Sequence, residues 1–360
     1  MKRRHLRLAK QGAVLLFLGA LLVNPQLTIA GESSYPIKDS KFPAAEAKLG
    51  WLDNERVIFH GYEIGKVGQP SPDDGHPMAE TGLFIWDIGK DMVTKYWDID
   101  GPVPLCVFRG QIFITQKVKG KEKTWLLVSG SLGKEERKVV SDRVSMNGHS
   151  CRVSDHRPDW MKEDKRRRLP LLEEHGYLDF GIPIWVDPSG KATPIVLYRP
   201  DSEKSVELPL TGRQVQFHTS YAEFADAYLL KGEQRTSDAV PLWILRPDGT
   251  IAQLVEPKGR AWERIGWTGF VLTKKGVFLI SRTTDGYAAA GKSGGYLLEG
   301  DSVKRLIVGL LDNVAVSPNG CKVAFVHVLN SQAGADSAEA LRTGKSGSRT
   351  LKMIDLCKGD

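Results

Sequence analysis

Apolar positions along this chain come in short runs, and no long stretch carries a helical 3.6-residue period. RVIFHG, GLFIWDIG, LCVFRG, QIFITQKV, TWLLVSG, PIVLYRP, AYLLKG, PLWILRPDG, GVFLISR, GGYLLEG and KVAFVHVL all read as strands. Most end in Gly, Pro, Asp or Ser, which punctuate them as tight turns. Short strands spaced throughout a chain indicate an all-β sandwich, barrel or propeller.

A repeat decides among these. One unit reads as strand, polar turn, strand, longer loop, apolar strand with a polar hairpin, final strand. RVIFHG leads to GLFIWDIGKDMVTKYWDI, QIFITQKV to TWLLVSGSLGKEERKVV, and AYLLKG to PLWILRPDGTIAQLV. GVFLISR leads to GGYLLEGDSVKRLIV, and KVAFVHV to LKMIDLCKGD; PIVLYRPDSEKSVELPL matches the latter half of a unit. The hairpin turns fall near Gly89, Leu132, Ser202, Asp248, Gly300 and Lys358. A four-stranded blade takes roughly 40–50 residues, so six blades fit; a seventh would need strands inside the insertion at 155–181. A polar loop at 330–348 lengthens the last unit. Little chain follows the last hairpin turn, so a segment near Tyr35 to Ala47 is expected to complete the last blade.

NVAVSPNGCKVAFVHV, followed by LKMIDL, resembles the WD40-like repeat of the TolB-type propellers. Ser317, Pro318, Asn319 and Gly320 stand where that repeat has Ser-Pro-Asp-Gly, and Asn tolerates the same left-handed turn. The resemblance covers this last unit and implies a propeller facing the cell envelope, used for protein contacts, with no catalytic residues.

The N-terminus adds a compartment. MKRRHLRLAK is basic, Gly12 to Val23 is apolar, and Thr28 and Ala30 are small residues before a cut after Ala30. Residues 1–30 read as a secretory signal peptide and 31–360 as a single propeller domain. The apolar run is short for a membrane span; an uncleaved anchor is the competing reading, and Arg3-Arg4 leaves the export route open. The location expected is periplasmic or secreted, with no membrane span after cleavage. Five of the 50 basic residues lie in this leader, leaving 45 against 43 acidic ones. So balanced a mature chain gives no electrostatic footprint for nucleic acid.

An exported chain with four cysteines invites disulfides. Antiparallel pairing of CKVAFVHV with LKMIDLC sets Cys321 opposite Cys357, with Phe325 opposite Met353. That leaves Cys106 with Cys151, tying the first strands of blades two and three.

Candidate chemistry is sparse. Gly286, Gly291, Lys292 and Ser293 fit the G-x-x-x-x-G-K-[ST] spacing of a phosphate loop. That mechanism needs a strand running into the loop and a helix after it. Here RTTD follows the strand GVFLIS, and Gly294, Gly295 and YLLEG continue as another strand. The stretch reads as a loop between strands of blade five, with Lys292 and Ser293 exposed, and no nucleotide is expected. No G-x-S-x-G nucleophile turn, H-E-x-x-H or paired C-x-x-C occurs.

An axial metal or polar site, as in lactonase-like or sugar-active six-bladed hydrolases and lyases, would draw on several blades. Asp53, Asn54, Asn147, His149, His218, Asp312 and Asn313 are the candidates, read as lying at the starts of innermost strands. No resident cofactor is otherwise expected. The insertion carries Trp160 and the basic run Arg166, Arg167, Arg168, a candidate arm for an acidic partner. Trp86, Trp125 and Trp243 fall in strands and are expected between blades. The residues favour binding or scaffolding of an envelope or extracellular protein over catalysis; the extracytoplasmic hydrolase or lyase is the alternative.

Overall fold

In the computed structural model the apolar runs become strands covered on both faces. The structure describes residues 35–70, 77–99, 103, 105–118, 125–140, 184–185, 194–199, 202–211, 215–232, 242–246, 250–255, 267–281, 293–300, 302–328 and 349–359. The first sheet contains β1 (Ile37–Trp51), β2 (Arg56–Pro70), β3 (Pro77–Asp87) and β4 (Met92–Asp98). The second blade is β5 (Leu105–Phe108), β6 (Gln111–Lys117), β7 (Trp125–Ser131) and β8 (Glu136–Val140). The third shows β9 (Ile184–Trp185), β10 (Pro194–Arg199) and β11 (Ser202–Thr211). The fourth is β12 (Val215–Ala222), β13 (Ala227–Gly232), β14 (Leu242–Leu245) and β15 (Ile251–Val255). The fifth is β16 (Trp267–Thr273), β17 (Gly276–Ser281), β18 (Gly294–Glu299) and β19 (Ser302–Val308). The sixth contains β20 (Leu310–Val316), β21 (Lys322–Val328) and β22 (Arg349–Asp355). Each blade is antiparallel with neighbours in chain order; the fold is a β-propeller, and the described residues make up six blades.

β1 belongs to two blades, in a sheet of order β20-β21-β22-β1-β2-β3-β4. Ile37, Lys38 and Asp39 pair with Ile354, Met353 and Lys352 of β22. Leu49, Gly50 and Trp51 then pair with Phe59, Ile58 and Val57 of β2. Between these halves the register shifts, and Lys41 takes a left-handed φ of 55°. The N-terminal segment thus completes the last blade over Ile37–Pro43 before opening the first. Asp355 N donates to the Pro36 carbonyl at 3.0 Å, and Tyr35 lies against Gly359.

Alternation along the strands fills the spaces between blades. Val57 and Phe59 pack toward the sixth blade with Val326 and Met353. Ile58 and Leu83 pack toward the second with Ile112 and Ile114. Phe278 of blade five stacks on Phe325 of blade six at 6.4 Å between centroids. A sheet covered on both faces needs apolar residues at successive positions, which explains runs such as VAFV. Trp86 is fully buried as expected; Trp243 is half-buried, and the Trp125 side chain lies outside the described residues.

Three expectations need correction. The register of β21 on β22 is one residue from that read in the sequence: Phe325 faces Lys352, and Ala324 faces Met353. The disulfide still joins Cys321 to Cys357, with Cα atoms 5.2 Å apart. Both cysteines sit in turns beyond the strand ends, so their meeting does not fix the ladder. Ser293 is buried, not exposed: its carbonyl accepts from the Arg305 guanidinium and from Gly309 N, which holds it at the head of β18. Finally, Asp53 and Asn54 follow the innermost strand instead of starting one. Cys106 is also disulfide-bonded; its expected partner, Cys151, lies outside the described residues.

Candidate functional site

The first strands of neighbouring blades pack on one another, β1 on β5, β12 on β16, β16 on β20 and β20 on β1, and so line the axis. Antiparallel order then sorts every connection to one of two ends. The turns after first and third strands lie at one end, and the connections after second and fourth strands lie at the other. At the first end the links are tight, such as 109–110, 274–275 and 300–301. At the other end the described strands stop at Pro70, Lys117, Gly232, Val255, Ser281 and Val328, and the next begin at Pro77, Trp125, Leu242, Trp267, Gly294 and Arg349, separations of several residues or more.

The tight-turn end is stitched across the axis. After β12 the chain makes a single 3-10 turn, Glu223–Ala225, ending at Asp226 in the left-handed region. Phe224 on this turn lies against Gly320 of blade six. Glu223 accepts from Arg109 N of blade two at 3.4 Å, and the Arg109 guanidinium lies 3.8 Å from the Asp226 carboxylate. Tyr221 donates to Asp226; burial and that carboxylate push its hydroxyl up to about 12. Lys274 N of blade five donates to Gly320 O at 2.9 Å, and Asn319 N to the Asn54 side chain of blade one at 2.9 Å. Lys322 reaches Glu55 at 2.5 Å and the Asn54 carbonyl at 2.9 Å. Turns from five blades therefore close this end, with the blade-four turn as the plug.

The axis wall toward the other end is built differently. Trp51 Nε1 donates to the Ala315 carbonyl at 3.0 Å, which sets β1 and β20 level. Lys48 and Asp312 each lie three residues earlier on these parallel strands. That places Lys48 about 10 Å from the contact, away from the tight-turn end, at ~3.3 Å per residue, while a register shift between Asp312 and Ala315 shortens the path on β20. Asp312 is buried and its Oδ2 accepts from Arg349, on the third strand, at 2.7 Å. Its charge is thereby matched within the blade. Asn313, next to it, has a φ of +48° beside a bulge in β20. Such a conformation in a non-glycine residue costs energy and recurs at functional sites.

Lys48 is half-buried and makes no side-chain hydrogen bond or ion pair among the described residues. Burial strips water from its ammonium and lowers its pKa to about 8. It therefore still carries charge at neutral pH. Its carbonyl lies 3.1 Å from Nδ1 of buried His60, whose Nε2 accepts from Val103 N at 3.3 Å. With Nε2 accepting, Nδ1 holds the proton and donates to Lys48 O, so His60 is neutral.

The remaining sequence candidates divide clearly. Asp53 caps its own turn, accepting from Glu55 N and Arg56 N at 2.8 Å and pairing with the Arg56 guanidinium at 2.7 Å. His218 is on the innermost strand β12, its side chain outside the described residues. Asn147, His149, Trp160 and Arg166, Arg167 and Arg168 lie outside them altogether. Among the described residues no three His, Cys, Asp or Glu side chains gather as metal ligands would. Sequence reasoning missed Lys48, because a lone lysine in KLGW gives no local signal. It also missed the Glu223–Asp226 plug, whose partners lie in other blades.

No family model matches the chain, and no curated protein does. Solved structures match at low identity. Oligogalacturonate lyase in complex with manganese is similar over 91% of this chain and 94% of that one, at 10% identity and a TM-score of 0.48. TolB from Acinetobacter baumannii is similar over 85% and 68%, at 12% identity and 0.33. YCF48 bound to D1 peptide is similar over 91% and 96%, at 9% identity and 0.35. The chain shares the β-propeller fold with both binding proteins and enzymes.

Proposed function

We propose that this is an exported propeller, periplasmic or secreted, that binds a protein of the cell envelope or exterior through its loop-bearing end. The observation that carries this reading is the asymmetry of the two ends. The connections after β13, β15, β17 and β21 are long and leave from one end, while turns from five blades tie the other shut. Rigid blades that present loops around one axis make a binding face. The segment 141–183, which leaves this end after β8, contains Trp160 and Arg166, Arg167 and Arg168, an aromatic and cationic set suited to an acidic protein surface. Removal of residues 1–30 on export would release the propeller from the membrane.

A photo-crosslinking residue in place of Trp160 tests this in intact cells, with the same residue in place of Lys134, in a tight turn at the closed end, as control. A discrete protein adduct is expected from position 160, absent from position 134, and lost when Arg166, Arg167 and Arg168 are all changed to Ser. Equal adducts from both positions, or none from position 160, would reject the loop-bearing end as the binding face. Fractionation of the same cells checks export: mature chain in the cytoplasm contradicts it.

A further inference from the structure

His60 holds the link between blades one and two by its backbone. It sits on β2 opposite Leu83 of β3 and is 1% exposed. Its Nδ1 lies 3.1 Å from the Lys48 carbonyl of β1, and its Nε2 lies 3.3 Å from Val103 N. The carbonyl needs a donor and the N–H needs an acceptor, so only the neutral ring with its proton on Nδ1 serves both. Val103 belongs to the link from β4 to β5. It is buried with Ile99 among Leu52, Ile58 and Leu105, in the seam between the two blades. The link follows a fourth strand and so lies at the loop-bearing end.

A second proton on the ring reverses one of these contacts. Nε2–H then points at Val103 N–H, and two donors face each other in a site closed to water. The contact with Lys48 O survives, because Nδ1 donates in either state. The cost therefore falls on the link, while β1 and β2 keep their pairing. The charged side chains nearest on the surrounding strands are Glu46 and Lys48 on β1, Arg56 and Glu63 on β2, and Glu80 on β3. Lys95 and Asp98 on β4 pair with each other, Lys117 ends β6, and β5 carries none. Carboxylates and ammoniums ordinarily keep their charge between pH 5 and 7, whereas imidazole does not.

We propose that His60 is a pH-operated latch: as the neutral ring it fastens Val103 between blades one and two, and as the imidazolium it releases the link at the loop-bearing end. Burial holds the ring below its usual 6.5 while the link is fastened. Release readmits water and lets the ring take up a proton more readily, so opening is favoured as pH falls below about 6.5. The device belongs to the blades themselves and needs no protein partner. A failed crosslink at position 160 leaves it standing, and a failed latch leaves the crosslink standing.

Amide hydrogen exchange on the full chain tests it, each rate being corrected for the pH dependence of free-peptide exchange. Between pH 7.5 and 5.5 the corrected exchange at Val103 should rise about tenfold, while amides of β2 and β6 stay protected. His60→Gln keeps a donor and an acceptor but does not titrate, and should abolish the rise. Nitrogen-15 histidine spectra of the unaltered chain give an independent reading should that variant fail to fold. They should show Nε2 without its proton at pH 7.5, and a protonation midpoint that coincides with the rise at Val103. Corrected exchange at Val103 that is flat with pH, or that rises only together with β2 and β6, would overturn the latch. So would an equal rise in His60→Gln, or a ring that stays neutral while Val103 is released.

Discussion

Phe224 of the fourth blade lies directly over Gly320 of the sixth: a methyl group on Gly320 would sit 2.7 Å from two ring carbons. Gly320 also has a φ of +76°, where any other L residue is strained. Gly320→Ala should therefore cost about 2–4 kcal/mol, from backbone strain and overpacking together. Phe224→Ala in the same chain should restore part of the loss by relieving the contact. Thermal melts of the two single variants and the double variant measure the coupling. Strictly additive effects would show that the plug does not seal this end.

His60 ties stability to pH. Burial lowers its pKa below the usual 6.5, and hydrogen bonds to its two backbone neighbours oppose that only in part. His327, buried with Nε2 2.7 Å from the Val308 carbonyl, is lowered by the same cause. For both, the unfolded chain takes up the proton first. Stability is thus complete above about pH 6.5 and lost as pH falls below it toward the folded-state values. Protonated His60 would also turn an N–H against Val103 N–H. Melting temperature measured across this range should fall on the acid side, and His60→Gln should flatten part of the slope. A slope unchanged in that variant would exclude His60 as a source.

How much of this was legible in the chain follows from the range of each interaction. The strands and the turns near Gly89, Leu132 and Gly300 could be read because apolar alternation and turn chemistry are local signals. The use of one segment by two blades could be anticipated from the missing last strand, but not the exchange point near Lys41. The β21–β22 register was misread because Cys321 and Cys357 meet outside the ladder. The plug and the level of β1 with β20 depend on contacts such as Arg109 with Asp226 and Trp51 with Ala315. These link residues far apart in sequence, and no local pattern records them.

Lys48 should be a stability cost. Its pKa is lowered from 10.5 to about 8 by burial, so the unfolded chain holds more protons between those values. Stability of the wild-type chain should rise as pH increases from about 8 to 10.5. Lys48→Met removes the buried charge, keeps the apolar stem, and should gain about 1–2 kcal/mol at neutral pH. That gain should vanish toward the alkaline end. Chemical denaturation at the two pH values reads both effects; a destabilised Lys48→Met variant would mean that the ammonium has a structural partner.

Closure of the ring rests on two devices at one blade, and they can be separated. The Cys321–Cys357 disulfide clamps the first turn of blade six to the end of β22 across a sequence separation of 36. For a loop of that size, chain entropy assigns a contribution of about 3–4 kcal/mol. The second device is β1, whose Ile37–Asp39 pairs cover the outer edge of β22 and whose Asp39 pairs with Lys352 at 3.3 Å. Cys321→Ser with Cys357→Ser should lower the melting temperature but leave β1 docked. Lys38→Pro removes the Lys38 backbone N–H, as well as the side-chain bond from Lys38 Nζ to the Ile88 carbonyl at 2.8 Å. It should expose the β22 edge, raising amide exchange at Lys352 and Ile354 while exchange in β6 stays protected. If each device closes the ring alone, the combined variant should lose more than the two losses added. Simple additivity would instead make the strand and the disulfide independent fasteners of a blade that stays closed without either.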